Sequence, residues 1–276
     1  LSVDSMESYS VLMSVYAKEQ AAYFKESIHS MLAQSVRTDD FVIVCDGPLN
    51  EALDQVINEV TTQYPALFQI IRLPENQGLG NALREGLSYC KHDLIARMDS
   101  DDISVKDRCK WQLQAFEEQK ADIVGGNIEE FTTDIEHPKA KRQVPQTDRQ
   151  IKAFAKRRNP FNHPTVMFRK SSVEAAGGYL ECRYFEDYYL WARMLHQGMT
   201  GYNIQKTLVY MRTNAGMYER RGSFSYALLG FSARYKIHKI GFSSTADFLI
   251  SAGGQIVMSI IPVKIRTYFY GKFLRK

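Results

Sequence analysis

The sequence predicts an α/β fold, a mostly parallel central sheet flanked by helices, and three observations carry that reading. Short apolar, β-branched runs alternate with amphipathic stretches through the first half of the chain. Polar or acidic residues stand at or just past the ends of several of those runs. At 276 residues, with 45% apolar and 24% charged side chains, the chain can bury a sizeable core in one large domain with an appendage.

The elements follow in order. "YSVLMSVY" (9–16) is a compact apolar strand closing on Tyr16, and Phe24, Ile28, Met31 and Leu32 then recur at helical spacing. "FVIVCD" (41–46) is a second buried-type strand, stopped by Gly47 and Pro48, and a helix is expected from Glu51 to Tyr64. "FQIIRL" (68–73) is the third strand. "GLGNALREGLSYC" puts Leu79, Ala82, Leu83, Gly86, Leu87 and Cys90 on one helical face. "DLIARM" (93–98) is the fourth strand. Beyond Lys120 the rhythm changes. "ADIVGGNIEEF" reads as a strand, 134–147 as a polar, Pro-punctuated loop, and "TDRQIKAFAKR" as a helix. "HPTVMFRK" enters a short helix that ends at the turn "GGY" (177–179). "YFEDYYLWARMLHQG" is a helix with Asp187, Leu190, Trp191 and Met194 on one face, "TLVYMR" a strand, and the last 60 residues helical, aromatic and basic. The domain expected is 9–216, in two halves that meet near 102, with an extension over 217–276. Residues 1–8 read as a leader in which Met6 is a candidate start.

Composition narrows the function classes. Cys45, Cys90, Cys109 and Cys182 form no CxxC pair, so reduced, buried thiols of a cytoplasmic protein are expected. From Met217 to Lys276 the only acids are Glu219 and Asp247 against ten Lys or Arg. Such a basic tail suits nucleic acid or an anionic membrane surface. No nucleic-acid module or zinc pattern accompanies it, so nucleic acid is not an expected partner. The longest uncharged run, Phe248 to Val263, is shorter than the roughly 20 apolar residues of a spanning helix. GxxxxGK[ST], GxSxG and HExxH are all missing, and "GLG" (78–80) is not a full dinucleotide fingerprint.

Parallel strands joined by helices share one carboxyl edge, where ligands of open α/β sheets bind. Tyr16, Asp46 and Asp99 all lie at that edge. Asp99-Ser100-Asp101 sets two carboxylates two residues apart in a turn, a hard-oxygen arrangement suited to Mg²⁺ or Mn²⁺ beside a substrate phosphate. Helix capping is the competing explanation, with Ser104 and Asp107 as a capping box, but it leaves Asp99 without a role. Asp46 before Gly-Pro also suits an ordinary turn, and Tyr16 an ordinary packing aromatic. Glu186-Asp187 opens a helix, where acids are stabilised whatever the function. Asp187 nevertheless shares its face with Leu190, Trp191 and Met194, so it should point inward, as a general base would.

In sequence order, Tyr16, Asp46 in "IVCDG", "NQGLGNAL", "MDSDD", "GGY" and "FEDYYLWARM" resemble family 2 of the inverting glycosyltransferases, proteins of the GT-A fold, over roughly residues 9 to 213. The resemblance implies a metal-dependent transfer of one sugar from a nucleotide-sugar, a UDP-sugar first, to a saccharide or lipid-linked saccharide hydroxyl in polysaccharide biosynthesis. It implies that Ser14, Val15, Tyr16 and Asp46 hold the nucleotide, Asp46 at the pyrimidine edge. Asp99 and Asp101, with Ser100 between them, form the DxD element that meets the diphosphate through Mn²⁺ or Mg²⁺. Asp187 becomes the base that deprotonates the acceptor. Members commonly carry two acids before the glycine of the second strand, where this chain has Cys45-Asp46. They also carry an arginine in the third helix, where it has Leu83 followed by Arg84, the candidate phosphate contact. The QxxRW motif of processive synthases is absent. A sugar-nucleotide pyrophosphorylase would need a Gly-rich loop after the first strand, and "SVYAKEQAAY" has none. A silent nucleotide-sugar-binding protein would not need Asp187. For the tail, Phe248 to Phe273 with Lys264, Arg266, Lys272, Arg275 and Lys276 predicts peripheral attachment at the inner face of the cell membrane. The alternatives are packing on the domain or pairing of two subunits through the extension.

Overall fold

The structure, a computed structural model, describes residues 6–213 and 224–260. Residues 1–5 of the expected leader and the basic aromatic stretch from Lys264 to Lys276 lie outside the described residues.

The first four strands are β1 (Tyr9–Val15), β2 (Asp40–Cys45), β3 (Phe68–Arg72) and β4 (Leu94–Asp99), joined by α1 (Ala21–Leu32), α2 (Glu51–Gln63) and α3 (Leu79–Tyr89). They lie in the order β3-β2-β1-β4 and every pair is parallel. This is the arrangement the apolar runs predict, because strands covered on both faces have no polar side to alternate. Odd and even positions of β1 serve two separate cores. Val11, Met13 and Val15 pack with Phe24 of α1 and Leu53 of α2. Leu12 packs with Leu83 and Leu87 of α3 and with Trp191.

From β4 onward the sheet is mixed. β8 (Met167–Arg169) runs antiparallel to β4, and β6 (Ile123–Phe131) antiparallel to β8. β9 (Gly201–Arg212) is parallel to β6 and antiparallel to the two-residue β5 (Ile103–Ser104). β7 (Ala140–Arg142) pairs with β6 inside the segment expected to be loop. All three of its residues are half-exposed and none is a large apolar, so it carries no apolar alternation for a sequence reading to find.

The helices of this half are α4 (Arg108–Gln119), α5 (Asp148–Ala155), α6 (Lys170–Ala175) and α7 (Glu186–His196), with a 3₁₀ turn at His163–Thr165. The expected capping box at Ser104 does not form. Ser104 belongs to β5, and α4 starts at Arg108 after Asp107, whose side chain caps nothing. Asp102 does not cap either, because it is buried and accepts a hydrogen bond from the Arg212 amide of β9 (2.8 Å). The helices α8 (Phe224–Lys239) and α9 (Thr245–Ile260) bear out the helical extension over its described part. No helix among the described residues is long and apolar enough to cross a membrane. All four cysteines are free and buried, and burial pushes the Cys45 thiol up to about 11 and Cys90 to about 12.

Candidate functional site

In the sheet register Val15 lies beside Cys45 and Ser14 beside Asp99, so β2, β1 and β4 end level with one another. Asp46 follows directly, its amide donating to Val15 O (2.8 Å). Its carboxylate draws in the β3–α3 loop. Oδ1 accepts from the Gln77 amide (2.7 Å), and Oδ2 from the Gly78 amide (3.0 Å) and Asn76 Nδ2 (3.0 Å). Gly47 makes room for this loop, since a Cβ there would stand 2.7 Å from Asn76 N, and its φ of +87° suits glycine. Asp46 is therefore a loop organiser, as the turn expectation has it. A carboxylate offers about four lone pairs, so one acceptor position on Oδ1 remains.

On β4, Ile95, Arg97 and Asp99 share the face turned toward the second core, because strand side chains alternate. Arg97 is 1% exposed, and its two terminal nitrogens clasp the two Asp99 oxygens, Nη1 to Oδ2 at 2.7 Å. Burial acts against the Arg97 charge, yet its acidic surroundings, Asp99 first, hold its pKa above the usual guanidinium value. Ser100 is buried and donates to Glu19 Oε2 (2.8 Å), which brings a fourth carboxylate beside Asp99, Asp101 and Asp102. Burial, then the neighbouring Asp99 and Glu19, raise the Asp101 carboxyl to about 7. Burial and the same crowding raise Asp102 well above the carboxylate range.

This donor set fits a hard divalent cation. Asp99 is engaged by Arg97, while the Asp101 oxygens meet no other side chain's hydrogen bond among the described residues, so Asp101 is the carboxylate a cation would find open. A cation there would relieve the repulsion that raises Asp101. No cluster of three or more His, Cys, Asp or Glu suited to a metal occurs among the described residues. The protein thus offers one or two carboxylates and leaves the remaining positions to phosphate and water, a common way of holding Mg²⁺.

Opposite this edge, α7 starts with Glu186 and Asp187. Asn159 Nδ2 donates to Asp187 Oδ2 (2.6 Å), and the inner side of the helix seats Leu190 and Trp191 in the second core. Burial raises Asp187 above the usual carboxylate range, and the Asn159 hydrogen bond acts against that rise. Glu186 packs on the first turn of α3, where a Cβ on Gly80 would lie 2.8 Å from Glu186 Cγ. Tyr179, from the "GGY" turn, meets His163 Nε2 through its hydroxyl (3.2 Å), and feels the charges of Arg97, Asp187 and Asp99 together. Burial and the Arg97 cation hold His163 well below its ordinary pKa, so the imidazole is neutral. The Asp99 turn and Asp187 thus share Arg97 and Tyr179 as electrostatic neighbours.

Of the residues singled out in the sequence, Ser14, Asp46, Asp99, Ser100 and Asp101 meet at this edge, and Asp187 feels the charge of Arg97 there. Tyr16 is 44% exposed at the end of β1, open to a ligand. Val15 contributes only backbone, because its side chain is buried in the first core. Arg84 is on the exposed side of α3, with no hydrogen bond or ion pair among the described residues, whereas its neighbour Leu83 is fully buried. Arg84 makes no hydrogen bond or ion pair with these carboxylates, and the cation that does is Arg97. A signal for it existed: a lone arginine inside an apolar strand, two residues before an aspartate, must share that aspartate's face. Asn159, His163 and Glu19 had no comparable signal, since each reaches the site through a loop.

Comparison with known proteins shows the family and the fold. The model of the family described as Glycosyl transferase family 2 matches residues 10–176. The chain is 34% identical over 275 residues to a UDP-Gal:alpha-D-GlcNAc-diphosphoundecaprenol beta-1,3-galactosyltransferase of Escherichia coli, covering 99% of this chain and 98% of that one. It is 33% identical over 270 residues to the amylovoran biosynthesis glycosyltransferase AmsE of Erwinia amylovora, covering 96% and 98%. Among solved structures, the mannosyltransferase PcManGT from Pyrobaculum calidifontis, in complex with GDP-Man and Mn²⁺, superposes with a TM-score of 0.66 at 12% identity, over 98% of this chain and 81% of that one. That likeness bears out the GT-A fold.

Proposed function

From the premise that this chain belongs to glycosyl transferase family 2 and has its GT-A fold, we propose that it moves a single sugar, with inversion, from a UDP-sugar to a hydroxyl of a saccharide or lipid-linked saccharide. The observation that carries this reading is that two kinds of carboxylate share Arg97 and Tyr179 as electrostatic neighbours: the Asp99–Asp101 turn at the strand ends, and Asp187, held by Asn159, at the start of α7. Inversion needs a base on one side of the anomeric carbon and a stabilised leaving diphosphate on the other, and this arrangement supplies both. Asp187, with its raised pKa, accepts the acceptor's proton. Asp101 would hold a Mn²⁺ or Mg²⁺ ion, with Asp99 beside it on Arg97. When bound, that ion offsets charge on the diphosphate. Tyr16, exposed just past β1, would stack on the base, and the remaining Oδ1 acceptor of Asp46 suits the N3–H of a pyrimidine. The Escherichia coli relative, named for a UDP-linked donor and a diphosphoundecaprenol-linked acceptor, supports this choice of donor and acceptor. A lipid-linked acceptor puts the work at the inner face of the cell membrane, with the protein peripheral.

The test is a panel of nucleotide-sugars with Mn²⁺, read as nucleotide released by slow hydrolysis. UDP-sugars should be cleaved, and excess EDTA should stop the reaction. Asp187→Asn should keep donor affinity near that of the parent and lower transfer to acceptor by about 10²–10⁴. Full activity in EDTA would remove the metal. Weak donor binding with normal turnover in Asp187→Asn would make Asp187 a structural cap.

A further inference from the structure

The two C-terminal helices carry an apolar surface that the site does not use. α8 turns Ala227, Ala233 and Ile237 inward, with Ile237 against Tyr188 and Ala192 of α7. α9 lies so close on α8 that a Cβ on Gly230 would overlap the Gln255 amide. Phe248 fills the seam, its ring centroid 5.4 Å from both Phe231 and His238. Asp247 closes the start of α9 on Ser244 Oγ (2.7 Å) and pairs with Arg157 next to α5 (2.6 Å). The hairpin is therefore anchored through its inner side.

Its outer side is apolar. On α8, Leu228, Phe231 and Tyr235 follow one another at i, i+3 and i+7, exposed by 55%, 40% and 51%. On α9, Leu249, Ile250 and Val257 are exposed by 63%, 56% and 57%. No charged side chain interrupts the sequence from Phe248 to Val263. Scattered exposed apolar residues need no explanation, but two adjacent helices presenting them together mark an interaction surface.

We propose that this hairpin face docks on an anionic lipid surface, lying in the headgroup zone and not crossing the bilayer. Charge selects this occupant over a second copy of the chain. Exposed Lys239 continues the α8 stripe, and the sequence beyond α9 supplies Lys264, Arg266, Lys272, Arg275 and Lys276 without an acid. Two copies of so basic an extension repel each other, whereas anionic headgroups offer the opposite sign. Apolar side chains entering the headgroup boundary, aromatic rings beside them and basic residues nearby are the pattern of an interfacial helix. The inference rests on the membrane-side location proposed above, not on the transfer chemistry.

The experiment uses the full chain with vesicles of phosphatidylcholine alone or mixed with phosphatidylglycerol. Co-sedimentation should be strong only with the anionic vesicles. The double variant Leu249→Glu, Ile250→Glu should weaken it by at least about tenfold, with thermal melting and donor hydrolysis unchanged. Should that variant fail to fold, Leu228→Glu on the other helix carries the same test. Indifference of the parent to both vesicle types overturns the proposal, as does a folded variant that binds as well as the parent. So does a dimer in sedimentation velocity that the substitutions split. Loss of donor hydrolysis with vesicle binding intact would count against the transfer reading and leave this one standing.

Discussion

Asp187 accepts a 2.6 Å hydrogen bond from Asn159, while burial drives its carboxyl the other way. A base works only when deprotonated, so anything that raises its pKa moves the acidic limb of the rate profile to higher pH. Asn159→Ala removes a contact that lowers the Asp187 pKa. Its limb should therefore shift upward, with turnover falling more at pH 6 than at pH 8 while the KM for donor stays put. A profile that keeps its shape and merely scales down would make Asn159 packing only. At this scale the sequence reveals half of each contact. Asp99, Asp101 and Asp187 could be found because a carboxylate at a strand end or a helix start leaves a local mark. Their partners are a different matter. Asn159 lies 28 positions before Asp187 and Glu19 81 positions before Ser100, separations over which no periodicity operates.

Among the elements, α3 joins the two halves of the site, and glycine lets it do so at two points. A Cβ on Gly86 would stand 2.5 Å from Leu12 and 2.6 Å from Val44, both in the packed core of the sheet. Alanine would gain up to about 1 kcal/mol of helix propensity, but overpacking a core costs about 1–3 kcal/mol. Gly86→Ala should thus lower stability by on the order of 1–2 kcal/mol in urea unfolding, with hydrolysis per folded molecule unchanged. Gly80 differs because its Cβ would meet only the side chain of half-buried Glu186, which can swing aside. Gly80→Ala should be near neutral in stability and slow transfer by moving the Glu186 side chain beside Asp187. Equal behaviour of the two variants would refute this division of roles. β1 to β4 and α1 to α3 were legible because two-sided burial writes long apolar runs and helical spacing into the sequence. β5, of two residues, and β7, at a half-exposed edge, bury too little to leave such a record. Arg84 is exposed for a related reason: the helical face containing Leu83 is spent on the core, and its neighbour points outward.

For the molecule as a whole, the carboxylates that fit the site for a cation burden the fold without one. Asp101 has its pKa raised from an ordinary 3.8 to about 7, first by burial and then by Asp99 and Glu19. A group whose folded pKa is raised binds protons more tightly in the folded state. Its stabilising contribution is therefore complete below about pH 4 and lost as the pH rises through about 7. Asn carries no charge at any pH, so Asp101→Asn escapes that loss. In metal-free protein the melting temperature of the variant, minus that of the parent, should be near zero below pH 4. It should grow through neutrality and reach on the order of 5 °C at pH 8. Asp102 works in the same direction, since losing the Asp101 charge removes one of the repulsions that raise it. His163, held neutral, titrates with the opposite sign, but it is present in both proteins and cancels in the difference. Mn²⁺ should then close the gap from the other side by raising the melting temperature of the parent and not of the variant. A difference independent of pH, or a variant less stable than its parent at pH 8, would show that Asp101 is no strain on the fold and remove the physical reason for placing the ion beside it.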